Sequence, residues 1–267
     1  MNKMRRVSRE HRCPACNHDT WCLLGDKGYI CMRMQSNIQK TFKGGEIGWF
    51  HTYNGELPKL PQPFREAPSI NARKLLKEWS APWNRKRMPD LAGKLGVSIE
   101  SLEALECTHS PWSHAWGFPM KDGYGNYIGI RIRHEDGKKW AQPGSQAGIF
   151  IPKLPVPRRI LVVEGPTDTA AALTFGYYAI GRPSCSGGVH HIMAFVRRCH
   201  VHEVVIVADN DDPGIRGGND LQRMLPVASC LLLLPTKDLR EFLRIGDRST
   251  IDAMIDQLVW TQPRAAA

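Results

Sequence analysis

No apolar run in this 267-residue chain approaches the roughly twenty residues that a bilayer-spanning helix needs. The four leucines at 231–234 are far too short, so a helical membrane anchor is excluded. The amino terminus is basic but lacks the apolar stretch of a secretory signal, which makes a cytoplasmic location the expectation. No G-x4-G-K-[ST] sequence occurs, which excludes a P-loop motor within the chain. Internal repeats are missing too, and with them the solenoid architectures. In a reducing compartment the eight cysteines point to metal binding or buried thiols rather than disulfides.

Charge is present in excess and is unevenly placed. The formal net charge is +10. Residues 1–157 carry 24 Lys and Arg against 14 Asp and Glu, whereas residues 158–267 carry 12 of each. A basic front half beside a neutral rear half suits a polyanion held in one place while chemistry happens in another. A merely solvated surface would look similar.

Four segments follow from composition. Residues 1–53 hold four of the cysteines, and 54–68 form a Pro-rich linker. Residues 69–157 start with a helix over 70–79 and a helical pattern over 90–105, broken at Gly96-Val97-Ser98 with Ser98 as N-cap. The pattern LAGKLGVSIESLEAL has a superficial helix-turn-helix look, but a packing unit is the stronger reading. Strands AWGFPM and YIGIRIRH come next, separated by a turn at 122–126. Residues 158–260 alternate apolar strands with amphipathic helices, the pattern of an α/β sheet.

In that last segment ILVVEG (160–165) and VVIVADNDDPG (204–214) are apolar runs that end abruptly in acid. Such runs read as strands of a parallel sheet buried on both faces, whose working groups sit just beyond the carboxyl ends. Glu164 would stand at one tip, and Asp209 and Asp211 at another. Converging carboxylates repel one another, and a hard cation, Mg²⁺ or Mn²⁺, relieves that repulsion. Acids are common at strand ends, but two such ends with an alternating Asp-Asn-Asp are harder to dismiss.

At the amino end the cysteines run C-x2-C-x5-C-x8-C through Cys13, Cys16, Cys22 and Cys31. The intervening LLGDKGYI reads as a hairpin turning at 25–28, and a knuckle plus a hairpin is the plan of a small zinc ribbon. His51, after GWF, is an alternative fourth ligand, and His18 another. So small and polar a segment would draw its folding free energy from Zn²⁺. Arg12, Lys27, Arg33 and the Trp21 ring offer a grip on single-stranded DNA, although Trp21 fits the core of the module equally well. Cys107, Cys185, Cys199 and Cys230 are expected in the core.

Ahead of the acids, Arg131 and Arg133 alternate onto one face of a strand, and Lys138, Lys139 and Trp140 follow. They suit a track for triphosphate or template phosphates, or a solvated sheet face. Arg216 starts the helix after the Asp pair, where it could reach a triphosphate or an acid neighbour. Gly187-Gly188 could cradle a phosphate but fits a tight strand-to-helix turn better.

Glu164-Gly165, Asp168 and Asp209-Asn210-Asp211 resemble the motifs of the Toprim domain, and Lys237-Asp238 resembles the acidic position that primases add downstream. The order of zinc module, basic strand with Lys139-Trp140, Ser145, Ile149-Phe150 and Lys153, then acids, is similar to the plan of DnaG-type primases, in a form closer to those of phages and mobile elements. The resemblance implies a Toprim α/β sheet with a basic α+β subdomain in front, preceded by a small zinc-ribbon-like β module. It implies a DNA primase making short RNA primers on single-stranded DNA from ribonucleoside triphosphates. Glu164, Asp209 and Asp211, with Asp238, would then hold Mg²⁺ or Mn²⁺, and Zn²⁺ would be structural. With no helicase-binding segment after Trp260, a helicase would be a separate chain. Two rivals use the same residues: a Toprim nuclease, and a non-catalytic DNA clamp similar to the RecR mediators.

Overall fold

The computed structural model describes residues 4–42, 46–53, 70–80, 84–110 and 114–262. The Pro-rich segment expected at 54–68 lies outside the described residues. The chain divides into two compact units, residues 1–67 and 68–267.

The first unit is an antiparallel sheet of β1 (Arg5–Arg6), β2 (Leu23–Leu24), β3 (Gly28–Cys31), β4 (Gln39–Thr41) and β5 (Ile47–Thr52), in the order β1-β2-β3-β5-β4. The β2–β3 hairpin closes at the anticipated turn, where Gly25 N–H donates to Gly28 O at 2.9 Å. Its core consists of Val7, Leu24 and three of the cysteines themselves. That is little apolar surface for an independent fold, and a metal held by the cysteines would add to its stability.

The second unit opens with α1 (Ala72–Trp79), α2 (Asn84–Leu95) and α3 (Ile99–Ala104). Helix α2 begins six residues before the expected start at Asp90 and contains Pro89, a residue that disfavours a helix interior. Ser98 caps α3 as anticipated, accepting from Ser101 N–H at 3.1 Å, after Gly96 turns through φ +71°. An antiparallel sheet follows, ordered β6 (Thr108–Ser110), β7 (Ala115–Lys121), β8 (Tyr127–His134) and β9 (Lys139–Ala141). The turn between β7 and β8 is fixed by Asp122, whose carboxylate accepts from the N–H groups of Tyr124 and Asn126, both at 2.9 Å.

Next come β10 (Arg159–Glu164), α4 (Gly165–Thr174), β11 (Ala179–Arg182), α5 (Val189–Arg198), β12 (Glu203–Ala208), α6 (Asp212–Met224), β13 (Ala228–Leu233), α7 (Leu239–Phe242) and α8 (Arg248–Asp256). The four strands form a parallel sheet ordered β11-β10-β12-β13. Alternate residues face opposite ways. Ile160, Val162, Val204 and Ile206 pack with Phe195 of α5 and Leu221 of α6. Leu161, Val163, Val205 and Val207 pack with Ala171 of α4, Phe242 of α7 and Ile251 of α8. This second core continues without a break into Leu95, Leu102, Trp116 and Phe118, so residues 69–157 and 158–260 share it. Two residues stitch the sheets together: Ile149 pairs with Lys121 and Phe150 with Gly181, each through two backbone hydrogen bonds of 2.8–2.9 Å. The architecture is mixed α/β. Among the described residues no helix is long and apolar enough to cross a membrane.

The chain leaves β10 toward β11 on one side and leaves β12 toward β13 on the other. The reversal opens a crevice at the carboxyl ends of β10 and β12, where α/β sheets bind their ligands.

Candidate active site and zinc centre

Glu164 ends β10 and immediately precedes α4. The chain turns from strand to helix through Gly165 at φ +75°, a left-handed conformation that glycine adopts without strain. Across the crevice, Asp209 follows β12, and Asp211 caps α6 by accepting from Gly214 N–H at 2.9 Å. Gly214 approaches so closely that a Cβ there would lie 2.3 Å from Asp209 O. The Asp209–Asp211 loop is pinned to the next one: Asn210 N–H donates to Lys237 O at 2.7 Å, and its side-chain amide to Leu234 O at 3.0 Å. This brings Asp238, the N-cap of α7, to the same end of the sheet. Arg240 N–H then donates to Asp168 Oδ1 at 3.0 Å, tying α7 to the first turn of α4.

The electrostatics show that these acids sense one another. Burial, then Glu164, Asp168, Asp238 and Asp211, push Asp209 up to about 7. Burial and then Asp238 push the 8 % exposed Asp168 up to about 7, against the pull of Arg240 and Lys139. Glu164 is also raised, by burial and by Asp211, against Arg182, the Cys185 N–H and Lys139. Five carboxylates thus form one field centred on Asp209. They are not drawn into a single ligand shell: among the described residues only the four cysteines bring three or more ligand atoms within 4.8 Å of one another. The oxygen donors, with pKa values raised by burial and by one another despite Arg182, Lys139 and Arg240, fit a hard divalent cation.

The predicted cations divide. Arg133 and Lys139 are direct partners across the β8–β9 hairpin. Arg133 is within electrostatic reach of Asp168, and Lys139 of Asp168, Asp238 and Glu164. Arg131, on the same face, donates to Pro183 O at 3.0 Å beyond β11. Lys138 is not with them: it sits in the turn, 80 % exposed, 2.9 Å from Asp136. Trp140, on the opposite face from Lys139, lies against His134. Arg216 is 70 % exposed and faces Asp212 at 4.0 Å. Gly188 stands at φ +78° as N-cap of α5, the tight turn expected there.

Two further cations belong to the site and escaped the sequence reading. Arg182, 4 % exposed, ends β11 as the register partner of Glu164 and donates to Gly187 O and Gly217 O. Arg240 faces Asp238 at 3.8 Å. The only sequence signal for either is a basic residue at the end of an apolar strand or directly after Lys237-Asp238.

In the first unit, one ligand atom from each of Cys13, Cys16, Cys22 and Cys31 lies within 4.8 Å of the others. Burial and the neighbouring Cys13 and Cys16 push the Cys22 thiol up to about 12. Four sulfurs this close cannot all ionise near neutral pH without a cation among them, and tetrahedral thiolate donors fit zinc. His51 is outside this set, stacked on Tyr29 and bonded to Met34 O at 3.1 Å. His18 is bonded to Cys16 O at 2.9 Å. Of the other cysteines, Cys107 and Cys230 are buried as expected, whereas Cys185 and Cys199 are partly exposed, because they lie at element ends rather than inside a strand.

Comparison with solved structures decides the fold. A DnaG primase catalytic domain bound to single-stranded DNA superposes with a TM-score of 0.58 at 18% identity, covering 71% of this chain and 78% of that one. The chain has the fold of the DnaG-type primases. The primase fragment of the bacteriophage T7 primase-helicase protein matches 94% of this chain and 99% of its own, with a TM-score of 0.54 at 14% identity, so the primase likeness takes in residues of both units. The zinc-binding and RNA polymerase domains of the Aquifex aeolicus primase match with a TM-score of 0.58 at 13% identity, over 71% of this chain and 60% of that one. No protein-family model and no curated protein matches the sequence.

Proposed function

We propose that the protein is a DNA primase, which joins ribonucleoside triphosphates into short RNA primers on a single-stranded DNA template. The observation that carries this reading is the acid field at the crevice of β10 and β12, flanked by Arg133 and Lys139, in a chain with the primase fold. The parallel sheet with its acids would be the Toprim part of that fold. Glu164, Asp209 and Asp211, with Asp238 beside them, would hold Mg²⁺ or Mn²⁺. When bound, the cation supplies Lewis-acid polarisation of the reacting phosphate and lowers the pKa of the attacking hydroxyl. The 3′-oxygen of one nucleotide forms a bond to the α-phosphorus of the next, and pyrophosphate leaves. Arg133 and Lys139 grip phosphate oxygens and keep the triphosphate in line with the attacking oxygen. Arg131 lies two residues away on the same face and would contact template phosphates. Asp168, its pKa raised by burial and by Asp238, holds α7 through Arg240 N–H and thereby keeps Asp238 at the site.

The first unit, with Zn²⁺ in its four cysteines, would be the structural module that helps engage the template, in a cytoplasmic protein that works with a helicase. The test is incubation of the full chain with single-stranded DNA of mixed sequence, labelled ribonucleotides and Mg²⁺. Short RNA products are expected, and Asp209→Ala should abolish them while DNA binding persists. Degraded template in their place would favour a nuclease. Intact template, no products and retained binding would favour a non-catalytic clamp.

A further inference from the structure

Arg33 follows Cys31 by two positions and by its charge belongs with the residues expected to touch DNA. The structure gives it other partners. Its Nη1 donates to Cys22 Sγ at 3.7 Å, to Cys16 Sγ at 3.8 Å and to Thr20 O at 3.0 Å. Its Nη2 donates to Thr20 Oγ1 at 3.3 Å. One guanidinium therefore spans two thiol ligands and is itself fixed at both ends of its fork by Thr20. We propose that Arg33 is a positioning residue of the cysteine site, holding Cys16 and Cys22 in place and offsetting the charge of the thiolates around a bound zinc ion.

The physical reason lies in charge and in the other donors. Zn²⁺ with four thiolates carries two net negative charges, and hydrogen bonds to the sulfurs spread that charge and orient the ligands. Backbone N–H groups serve all four sulfurs: Met32 donates to Cys22 at 3.5 Å, Arg33 and Met34 donate to Cys31 at 3.4 and 3.1 Å, Ala15 and Cys16 serve Cys13, and His18 serves Cys16. Those donors are neutral, and Cys16 is in the only partly buried position of the four. Arg33 is the residue that reaches across to it from the β3 end, bringing a full positive charge as well as N–H donors. Cys16 and Cys22 are also the pair whose sulfurs stand 3.7 Å apart. A donor shared between them opposes their separation and makes both weaker nucleophiles. Thr20 completes the clamp, because its carbonyl and hydroxyl hold the guanidinium where water or nucleic acid would otherwise draw it away.

This inference rests on the reading of the four cysteines as a zinc site. The experiment uses the full chain, zinc-loaded, in three forms: unchanged, Arg33→Met and Arg33→Lys. Zinc transfer to a chromophoric chelator and thiol alkylation by iodoacetamide are followed in time, with circular dichroism as a check on folding. Loss of an outer-shell partner typically weakens metal affinity 10–100-fold. Arg33→Met should therefore release zinc about tenfold faster or more, and alkylate faster. Arg33→Lys should fall between, because it keeps the charge and loses the fork. Affinity for single-stranded DNA, measured at saturating zinc, should stay within about twofold, roughly one exposed phosphate contact or less. Unchanged zinc release with weakened DNA binding would overturn the proposal and return Arg33 to the nucleic-acid surface. Unchanged protein that purifies with no zinc would overturn the zinc reading itself, an outcome distinct from zinc retained equally by all three forms.

Discussion

Burial raises the carboxyl pKa of both Asp168 and Glu106, and their neighbours then move the two acids in opposite directions. Asp168 has another acid, Asp238, adding to the effect of burial and is raised. Burial would raise Glu106 too, but Lys121 and the Tyr127 hydroxyl hydrogen-bond to it, and its pKa falls below the ordinary carboxylate value. Lys121 is 7 % exposed and also donates to Ile151 O, so this group ties α3 and β7 to the strand-like segment that joins the two sheets. A carboxyl with a depressed folded pKa contributes stability above its unfolded pKa and loses it as pH falls through the folded value. Glu106→Gln should therefore cost about 2–3 kcal/mol at pH 7, since it strands a buried ammonium. The difference from the unchanged protein should shrink in acid below the ordinary carboxylate range, as thermal melts across pH would show. Gly165→Ala makes a second residue-scale test. The position has open space but φ +75°, so the cost is conformational, about 1–2 kcal/mol, with a lowered Tm and displaced Glu164. The Glu-Gly pair was legible in the sequence because that requirement is local. Arg182 and Arg240 were not, because only the strand register and the α4–α7 contact reveal what they face.

Among the elements, the β8–β9 hairpin decides which cations matter. Its two strands were nearly readable from alternation alone: YIGIRIRH is β8 from end to end. The alternation could not say which of two adjacent lysines turns toward the acids, because that depends on the hairpin register. With Arg133 opposite Lys139, Lys138 falls in the turn and pairs with Asp136. The prediction is a contrast between neighbours. Lys139→Ala should raise the KM for ribonucleotides about tenfold or more, the loss of a desolvated charge–phosphate contact. Lys138→Ala should leave it within about twofold, as expected for an exposed ion pair. Equal effects would mean the register carries no function. Helix α2 shows the opposite failure of reading. Pro89 signals a boundary in sequence, yet Met88, Leu91, Ala92 and Leu95 bury their side chains against the shared core, and tertiary packing overrides the local rule.

For the whole molecule, the apolar strands that end in acid and the cysteine spacing were enough to anticipate an α/β sheet and a four-cysteine cluster. The division into compact units 1–67 and 68–267 came out differently from composition, because the basic and acidic segments share one apolar core that only long-range packing creates. Two units with such unequal cores should unfold separately. A zinc chelator should remove the tertiary signal of the first unit, for example from Trp21 and Trp49, while the cooperative melt of the second stays within a few degrees. Loss of both together would contradict that independence.

The central claim is that the carboxylates around Asp209 gather a divalent cation. Electron paramagnetic resonance of Mn²⁺ added to the zinc-loaded full chain at neutral pH measures this directly. Bound Mn²⁺ that Mg²⁺ displaces, and that Asp209→Asn and Glu164→Gln each weaken by tenfold or more, is the predicted result. Free Mn²⁺ throughout the titration, or binding that neither substitution alters, would contradict it.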